Sequence, residues 1–387
     1  EVLFTGFNMG DTHAGVSNLR YGHDGWIYAT IGYSGFKGTV GGEQHQFNQG
    51  VFRFKPDASK LEYLQPTTNN TWGLGTTSDF DIMGSTANGN PSFYLTHAKA
   101  DYDAAGLSTP RTPRAGSNPI FNPRSVDIRQ VDQSDRYTAG AGHAFYTAER
   151  FPEAWREKTA FVTEGTGKLV GTFDITREGA GYKAVQENNN IYNSADAWSG
   201  PVCAEVGPDG AVWICDWYNL IIQHNPTPSK ASSGLDARNG KGNAYETPLR
   251  NDKFGRIYRV YPKGTSDDGN PQLDPEKPAT LLAALSHPNL FWRLHAQRLL
   301  AESGNKAFAP KLTEVAAGND RAAAHAIYAL HGLGVLDPST VSKALASENP
   351  AVRRAGIFCG TPEQVRAGLM ADGKIRMTGA RDLSDAL

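Results

Sequence analysis

The chain reads as mainly β, then α: part of a β-propeller with about four blades present, followed by a helical solenoid of HEAT type. Three observations predict this. Strand–turn–strand units recur at a spacing of roughly 50 residues, a propeller-like period. Glycine and proline are abundant, 42 and 22 residues, and cluster between short apolar runs. Beyond Pro262 the alternation of β-branched residues gives way to Ala/Leu repeats at helical spacing. The predicted organisation is therefore 1–262 as the C-terminal blades of a propeller, 263–277 as a linker, and 278–387 as HEAT-like repeats.

The clearest unit spans Gly200–Tyr218. Its apolar runs, Val202–Val206 and Ala211–Asp216, flank Gly207-Pro208-Asp209-Gly210, which supplies the backbone freedom and side-chain hydrogen bonding of a tight hairpin. The same order, an apolar strand, a Gly/Asp turn and an aromatic-rich strand, occurs in Ser17–Gly32 around Gly22-His23-Asp24-Gly25. Weaker copies lie at Trp72–Thr86 and at Ala144–Glu164.

Taken in order, blade one (15–66) has strands Asn18–Tyr21, Trp26–Ile31, Val51–Phe54 and Leu61–Leu64. Between the second and third lies Tyr33–Phe47, a glycine-rich loop long enough to carry binding groups. Blade two (70–135) includes Ser85–Tyr94 and an irregular Pro/Arg/Asn-rich insertion at 98–125. Blade three (139–195) opens on Ala139-Gly140-Ala141-Gly142-His143 and continues in strands Ala160–Thr163 and Lys168–Ile175. Blade four (198–262) is the clear hairpin, a polar excursion over Asn225–Lys253, and a closing strand Gly255–Tyr261. In the tail, Ser286–Asn289 and Ser347–Pro350 are inter-helix turns, and Arg293 and Arg353 occupy matching places after them.

The totals narrow the function. Lys+Arg number 38 against 40 Asp+Glu, a net charge of -2 with no long basic run, which argues against a nucleic-acid or anionic-membrane footprint. No apolar run reaches the roughly 18 residues of a membrane span. The chain starts at Glu1, already in a strand-like run, and reads as a mature or truncated product. Of three cysteines, Cys203 and Cys215 lie almost symmetrically about the Pro208-Asp209 turn, as a cross-strand disulfide or as two buried thiols; Cys359 reads as a core thiol. No Cys-x-x-Cys-His haem site is present. Neither a glycine-rich nucleotide fingerprint nor a nucleophile elbow is found, which disfavours nicotinamide and Ser/His/Asp chemistry.

Six segments in order, Asp11–Tyr21, Gly32–Phe36, Asn69–Gly75, Gly84–Ser92, Ala139–His143 and Asp216–Pro228, resemble the membrane-bound dehydrogenases of planctomycete-type bacteria, a propeller followed by HEAT repeats and often a haem-binding domain. That family is related to sorbosone and soluble glucose quinoprotein dehydrogenases. The resemblance implies oxidation of a sugar or polyhydroxy substrate with pyrroloquinoline quinone and Ca²⁺ as candidate cofactors. It implies electron transfer to a cytochrome or haem domain outside this chain, a periplasmic or extracellular location, and membrane association through a missing segment. Fewer blades are visible than those folds use, so opening blades are expected to be missing.

In a propeller, the loops entering the innermost strand and leaving the second strand open on one funnel. That rule gathers His13, Asn18, Tyr33, Asn70, Trp72, Asn88, His143, Glu164, Trp198, Asp216, Tyr218 and His224. His13 and His143 are the candidates for a general base, imidazole being suited to proton removal near neutral pH; the alternative is a histidine hydrogen-bonded between blades. Asp216 and Glu164 are candidate Ca²⁺ ligands, or acceptors for backbone amides. Tyr33, Asn70, Asn88 and His224 are candidate polar contacts. Trp72, Trp198 and Tyr218 are stacking surfaces for a sugar or planar cofactor, or packing between blades. Arg20 is a candidate to pair bidentately with a cofactor carboxylate, or, being on a strand, points outward. Two further readings remain: a non-catalytic carbohydrate-binding or assembly scaffold, its helical array docking a protein, and a glycan hydrolase or lyase using Glu164 and Asp216.

Overall fold

Among the described residues, four antiparallel sheets of three to five strands follow one another along the chain, a fifth two-stranded sheet is a hairpin set between strands of the first, and a helical segment packs against the turns on one side. The computed structural model describes residues 1–371 except 118, 129–134, 223–228, 234–235, 241–243, 245 and 252. Sheet one has the order β1 (Val16–Tyr21), β2 (Ile27–Ile31), β5 (Gly50–Phe54) and β6 (Leu61–Pro66). Sheet two is β7 (Thr71–Thr76), β8 (Ile82–Thr86) and β9 (Phe93–Tyr94). Sheet three runs β10 (Gly140–Phe145), β11 (Thr159–Glu164), β12 (Leu169–Glu178) and β13 (Gly181–Gln186), with β14 (Tyr192–Asn193) also on β12. Sheet four is β15 (Pro201–Val206), β16 (Val212–Asp216) and β17 (Arg256–Val260).

The expected loop at Tyr33–Phe47 differs: most of it folds as a hairpin of β3 (Phe36–Val40) and β4 (Glu43–Phe47). Gly41 and Gly42, at φ 58° and 86°, provide the left-handed two-residue turn that such a hairpin needs. Phe36 and Phe47 then stack against each other, 5.1 Å between centroids, and bury against Phe52. The 98–125 insertion, read as irregular, contains a short helix, α1 (Lys99–Ala104).

Each sheet packs on the next through its own apolar faces. Trp26, Tyr28 and Val51 meet Leu74 and Phe93; Met83 meets Phe145, Val162 and Phe173; Ala144, Phe161 and Val170 meet Ala204, Val212 and Ile214. The first strands β1, β7, β10 and β15 lie beside one another in that order. Close approach is obligatory between β7 and β10: a Cβ on Gly75 would lie 2.0 Å from the His143 carbonyl oxygen, and one on Gly73 2.4 Å from that of Gly142. All four first strands carry an irregularity of register near their start, between Ser17 and Arg20, Thr71 and Gly73, Ala141 and Ala144, and Pro201 and Cys203. Such bulges re-aim side chains and increase twist.

After a four-residue helix, α2 (Lys230–Ser233), and β17, the chain continues into α3 (Pro278–Ala284), α4 (Leu290–Glu302), α5 (Ala309–Ala316), α6 (Arg321–Gly332), α7 (Pro338–Ala346), α8 (Pro350–Cys359) and α9 (Pro362–Ala371). Asn289, Asp320, Asp337 and Asn349 cap α4, α6, α7 and α8 with side-chain oxygens. The matched arginines do the same work twice. Arg293 donates to the carbonyls of His287 and Pro288 at 2.8 and 2.9 Å, and Arg353 to those of Ser347 and Glu348 at 2.7 and 2.8 Å. Cys359 is buried in this helical core.

The turns between first and second strands rest on the helices. Gln297 donates to the His23 carbonyl, Phe80 packs on His325 and Tyr328, and Asn289 Nδ2 donates to the Gly207 carbonyl at 2.8 Å. No helix among the described residues is long and apolar enough to cross a membrane.

Candidate functional site

The loops on the opposite ends of the first strands interlock through backbone groups. Asp11 is the first anchor: its Oδ1 accepts the His13 N–H at 2.8 Å, and its Oδ2 accepts the Tyr33 hydroxyl at 2.8 Å. The His13 carbonyl then accepts from Asn70 Nδ2 at 2.6 Å and Trp72 Nε1 at 2.7 Å, while Asn18 Nδ2 donates to the Trp72 carbonyl at 2.6 Å. His13, Asn18, Tyr33, Asn70 and Trp72, named from separate sequence motifs, are thus one connected cluster. Tyr33 is 51% exposed and His13 and Trp72 are half-buried, so the cluster meets solvent. The chain proceeds to the neighbouring loop through the Asn70 carbonyl, which accepts from Ala87 N–H, and the Ala87 carbonyl, which accepts from Gly140 N–H. Asn88, half-buried beside them, contributes its carbonyl to the Thr86 hydroxyl at 2.7 Å.

The two acids occupy equivalent ends of second strands. Glu164 pairs with Gly140 in register, and Asp216 with Pro201. Glu164 accepts from the N–H groups of Ala139, Thr138 and Gly167; Asp216 accepts from those of Gly200 at 2.6 Å and Tyr218 at 2.9 Å, and from Arg256 Nε at 3.0 Å. Each carboxylate therefore staples the loop entering its sheet's first strand. Burial pushes the Glu164 carboxyl up to about 7, against the downward pull of its backbone donors. Lys168, 1% exposed, is lowered to about 8 by burial, with Glu164 and then Asp216 opposing.

Around Asp216, Trp198 and Tyr218 stack at 5.9 Å between ring centroids, and the Arg256 guanidinium carbon lies 4.2 Å from the Tyr218 centroid. Tyr218 holds a left-handed φ of 59°, fixed by its N–H bond to Asp216. His224 lies outside the described residues.

Two candidates stand away from the loop face. His143 is wholly buried in β10; its Nε2 is 2.9 Å from Ser92 Oγ, and burial lowers the imidazole to about 4. It is a neutral interior histidine out of reach of a ligand hydroxyl on the loop face. Arg20 lies toward the other end of β1, where its guanidinium forks onto Glu205 of β15, with Nη1 2.9 Å from Oε2. Together with Gly75, Thr76, His143 and Glu205, it lines a cavity of about 130 Å³ that Leu290, Phe291 and Leu294 of α4 cover.

The cofactors implied by resemblance can be tested against this donor set. Pyrroloquinoline quinone is a polycarboxylate and needs cations. Arg20 is committed to Glu205, and Arg256 to Asp196 and Asp216. For Ca²⁺, the oxygens of Glu164 and Asp216 already serve main-chain donors, and no trio of His, Cys, Asp or Glu side chains converges among the described residues. Among the described residues, those named for quinone and Ca²⁺ do not form a binding site for either group. Asp11, Glu205 and Arg256 make contacts to the candidate residues that the sequence motifs do not single out. Only Asp11, inside the Asp11–Tyr21 motif, had a sequence signal.

Residues 1–264 match the family described as "Domain of unknown function (DUF7133)". No curated protein matches the sequence. Among solved structures, the chain is similar to the apo form of the soluble aldose sugar dehydrogenase from Escherichia coli, at 14% identity and a TM-score of 0.33, covering 52% of this chain and 60% of that one. It is similar to a glucose dehydrogenase at 15% identity, TM-score 0.29, covering 53% and 80%. A third likeness is the PQQ-bound aldose sugar dehydrogenase from Streptomyces coelicolor, at 14% identity, TM-score 0.30, covering 55% and 57%. The matched region thus spans less than two thirds of the first of these proteins.

Proposed function

The chain belongs to the DUF7133 family, and on that footing we propose that it recognises a sugar or other polyhydroxy compound on the loop face of a partial β-propeller, as the substrate-recognition part of a sugar-dehydrogenase-like protein. The observation that supports this is the Asp11–His13–Tyr33–Asn70–Trp72 cluster, in which the exposed Tyr33 phenol donates to Asp11, the half-buried Trp72 indole donates to the His13 carbonyl, and the His13 backbone that carries the imidazole is fixed by Asp11, Asn70 and Trp72. Aromatic faces beside fixed polar groups suit the apolar and hydroxylated sides of a sugar ring. In this reading His13 is the candidate for taking the proton of a ligand hydroxyl, the carbon-bound hydrogen would leave as hydride to a two-electron acceptor such as a quinone held outside the described residues, and that acceptor would pass its electrons to a haem domain or cytochrome partner. The domain limits 1–262, 263–277 and 278–387, the HEAT-type nature of the helical part, and a periplasmic or extracellular site of action belong to the same proposal.

Titration of the full chain with a panel of aldoses and polyols, followed by calorimetry and tryptophan fluorescence, tests recognition. A dye-linked oxidation assay with the same panel, with and without added quinone and Ca²⁺, tests turnover. Binding that is lost in Tyr33→Ala and Trp72→Ala is the expected result; no binding by any member of the panel overturns the proposal. Binding without turnover would favour the second reading, a non-catalytic carbohydrate-binding scaffold. The saturated carboxylates Glu164 and Asp216 favour that reading over a hydrolase or lyase, which needs carboxyl groups free to exchange protons with a ligand.

A further inference from the structure

Cys203 on β15 and Cys215 on β16 are direct cross-strand partners. Residues opposed in this way in an antiparallel pair have Cα atoms about 4.5–5.5 Å apart, within the span that a disulfide bridges, and their side chains leave the same face of the sheet. Both thiols are free. Cys215 is exposed, and its partner on the next strand, Ile257, is 69% exposed, so this face of sheet four meets solvent. Cys203 is half-buried, with its sulfur 3.5 Å from Glu205 Oε1. One thiol is open to attack from solution; the other is half-sheltered beside it on the same face and has a carboxylate within reach.

We propose that Cys203 and Cys215 form a redox-active dithiol that a small-molecule disulfide, such as glutathione disulfide, converts to a cross-strand disulfide. The Cys215 thiolate attacks one sulfur of the oxidant, forming a mixed disulfide and releasing one glutathione thiolate. Cys203 then gives up its proton, with the Glu205 carboxylate placed to accept it, and its sulfur attacks the Cys215 sulfur. The second glutathione leaves as thiolate. In sum, two protein thiols lose two hydrogens and two electrons, and one glutathione disulfide becomes two glutathione thiols. Burial, followed by the charge of Glu205, raises the Cys203 thiol to about 12, so its thiolate becomes more available and the second step quickens as pH rises. The same carboxylate holds Arg20, which ties the oxidation state of sheet four to the ion pair that joins it to sheet one.

The test equilibrates the full chain with graded ratios of reduced to oxidised glutathione, quenches with acid and counts thiols after unfolding. The expected result is loss of two of the three thiols, with the peptide that holds both Cys203 and Cys215 lighter by two hydrogens and Cys359 still alkylatable. Cys203→Ser is expected to accumulate a glutathione adduct on Cys215, and Cys359→Ser to leave the two-thiol loss intact. Retention of all three thiols in excess glutathione disulfide overturns the proposal, as does a wild-type adduct on Cys215 that never resolves. Should Cys203→Ser fail to fold, the mass of the wild-type peptide decides the matter alone.

Discussion

Arg20 and Glu205 form a bidentate ion pair across 185 residues of sequence, joining the first strand of the first sheet to the first strand of the last. Their side chains are 30% and 37% exposed, so solvent screens the pair in part. It sits over the cavity that α4 covers, and its position explains why Arg20 is not on the loop face.

Replacing either partner should weaken the array modestly. Arg20→Lys and Glu205→Gln are each expected to lower stability by about 1 kcal/mol, the net value of a charge-assisted hydrogen bond discounted for screening. A double-mutant cycle in urea checks this, and an absence of coupling between the two sites would show that the contact does not join the sheets energetically.

Glu164 makes stability fall as pH rises. Its folded-state value is raised to about 7 from an ordinary 4.5, so between these values the folded protein holds a proton that the unfolded chain has released. Stability contributed by the neutral form is complete below about 4.5 and is lost as pH climbs through about 7, at up to about 1.4 kcal/mol per pH unit. Urea midpoints across this range should show the slope, and Glu164→Gln should flatten it. A flat wild-type profile would mean that the three backbone donors keep the carboxylate ionised.

Asn289 is the hinge pin between hairpin and helix. Fully buried, it caps α4 through Phe291 N–H at 3.0 Å and donates to the Gly207 carbonyl at 2.8 Å. Asn289→Ala removes a cap worth about 1 kcal/mol and a buried bond worth about 1 kcal/mol more. Denaturation should register about 2 kcal/mol, and amide exchange should quicken at the start of α4.

Trp72 supports the loop cluster through a bond from its indole N–H to the His13 carbonyl. Trp72→Phe keeps an aromatic face and loses that donor, so affinity for a polyhydroxy ligand should fall roughly fivefold, the equivalent of about 1 kcal/mol. Calorimetry on the variant reads the change; unaltered affinity would place the ligand elsewhere.

Much of the fold was legible because its signals are local. Gly207–Gly210 and Gly22–Gly25 announce their turns in four residues each, and the strands beside them follow. Asn289 and Asn349, with arginines four residues later, announce two helix starts that the structure repeats bond for bond. Of the site, the Asp11–Trp72 cluster was legible as a set of motifs meeting on one loop face. The hairpin inside Tyr33–Phe47 is not legible in the same way, because Gly41-Gly42 is as compatible with an open glycine-rich loop as with the left-handed two-residue turn that it forms.

What the sequence determined by itself was the order of strands, turns and caps, since each depends on a few adjacent residues and the backbone angles they permit. It also set Cys203 and Cys215 about one turn, and the register then made them opposite partners. Only the tertiary structure decided that Arg20 faces Glu205, that His143 is sealed against Ser92, and that Glu164 and Asp216 spend their oxygens on the main chain. The physical reason is that these contacts join strands and loops whose proximity comes from sheets packing face to face and from bulges re-aiming side chains, and a period-2 pattern carries no information about which neighbour a side chain will meet.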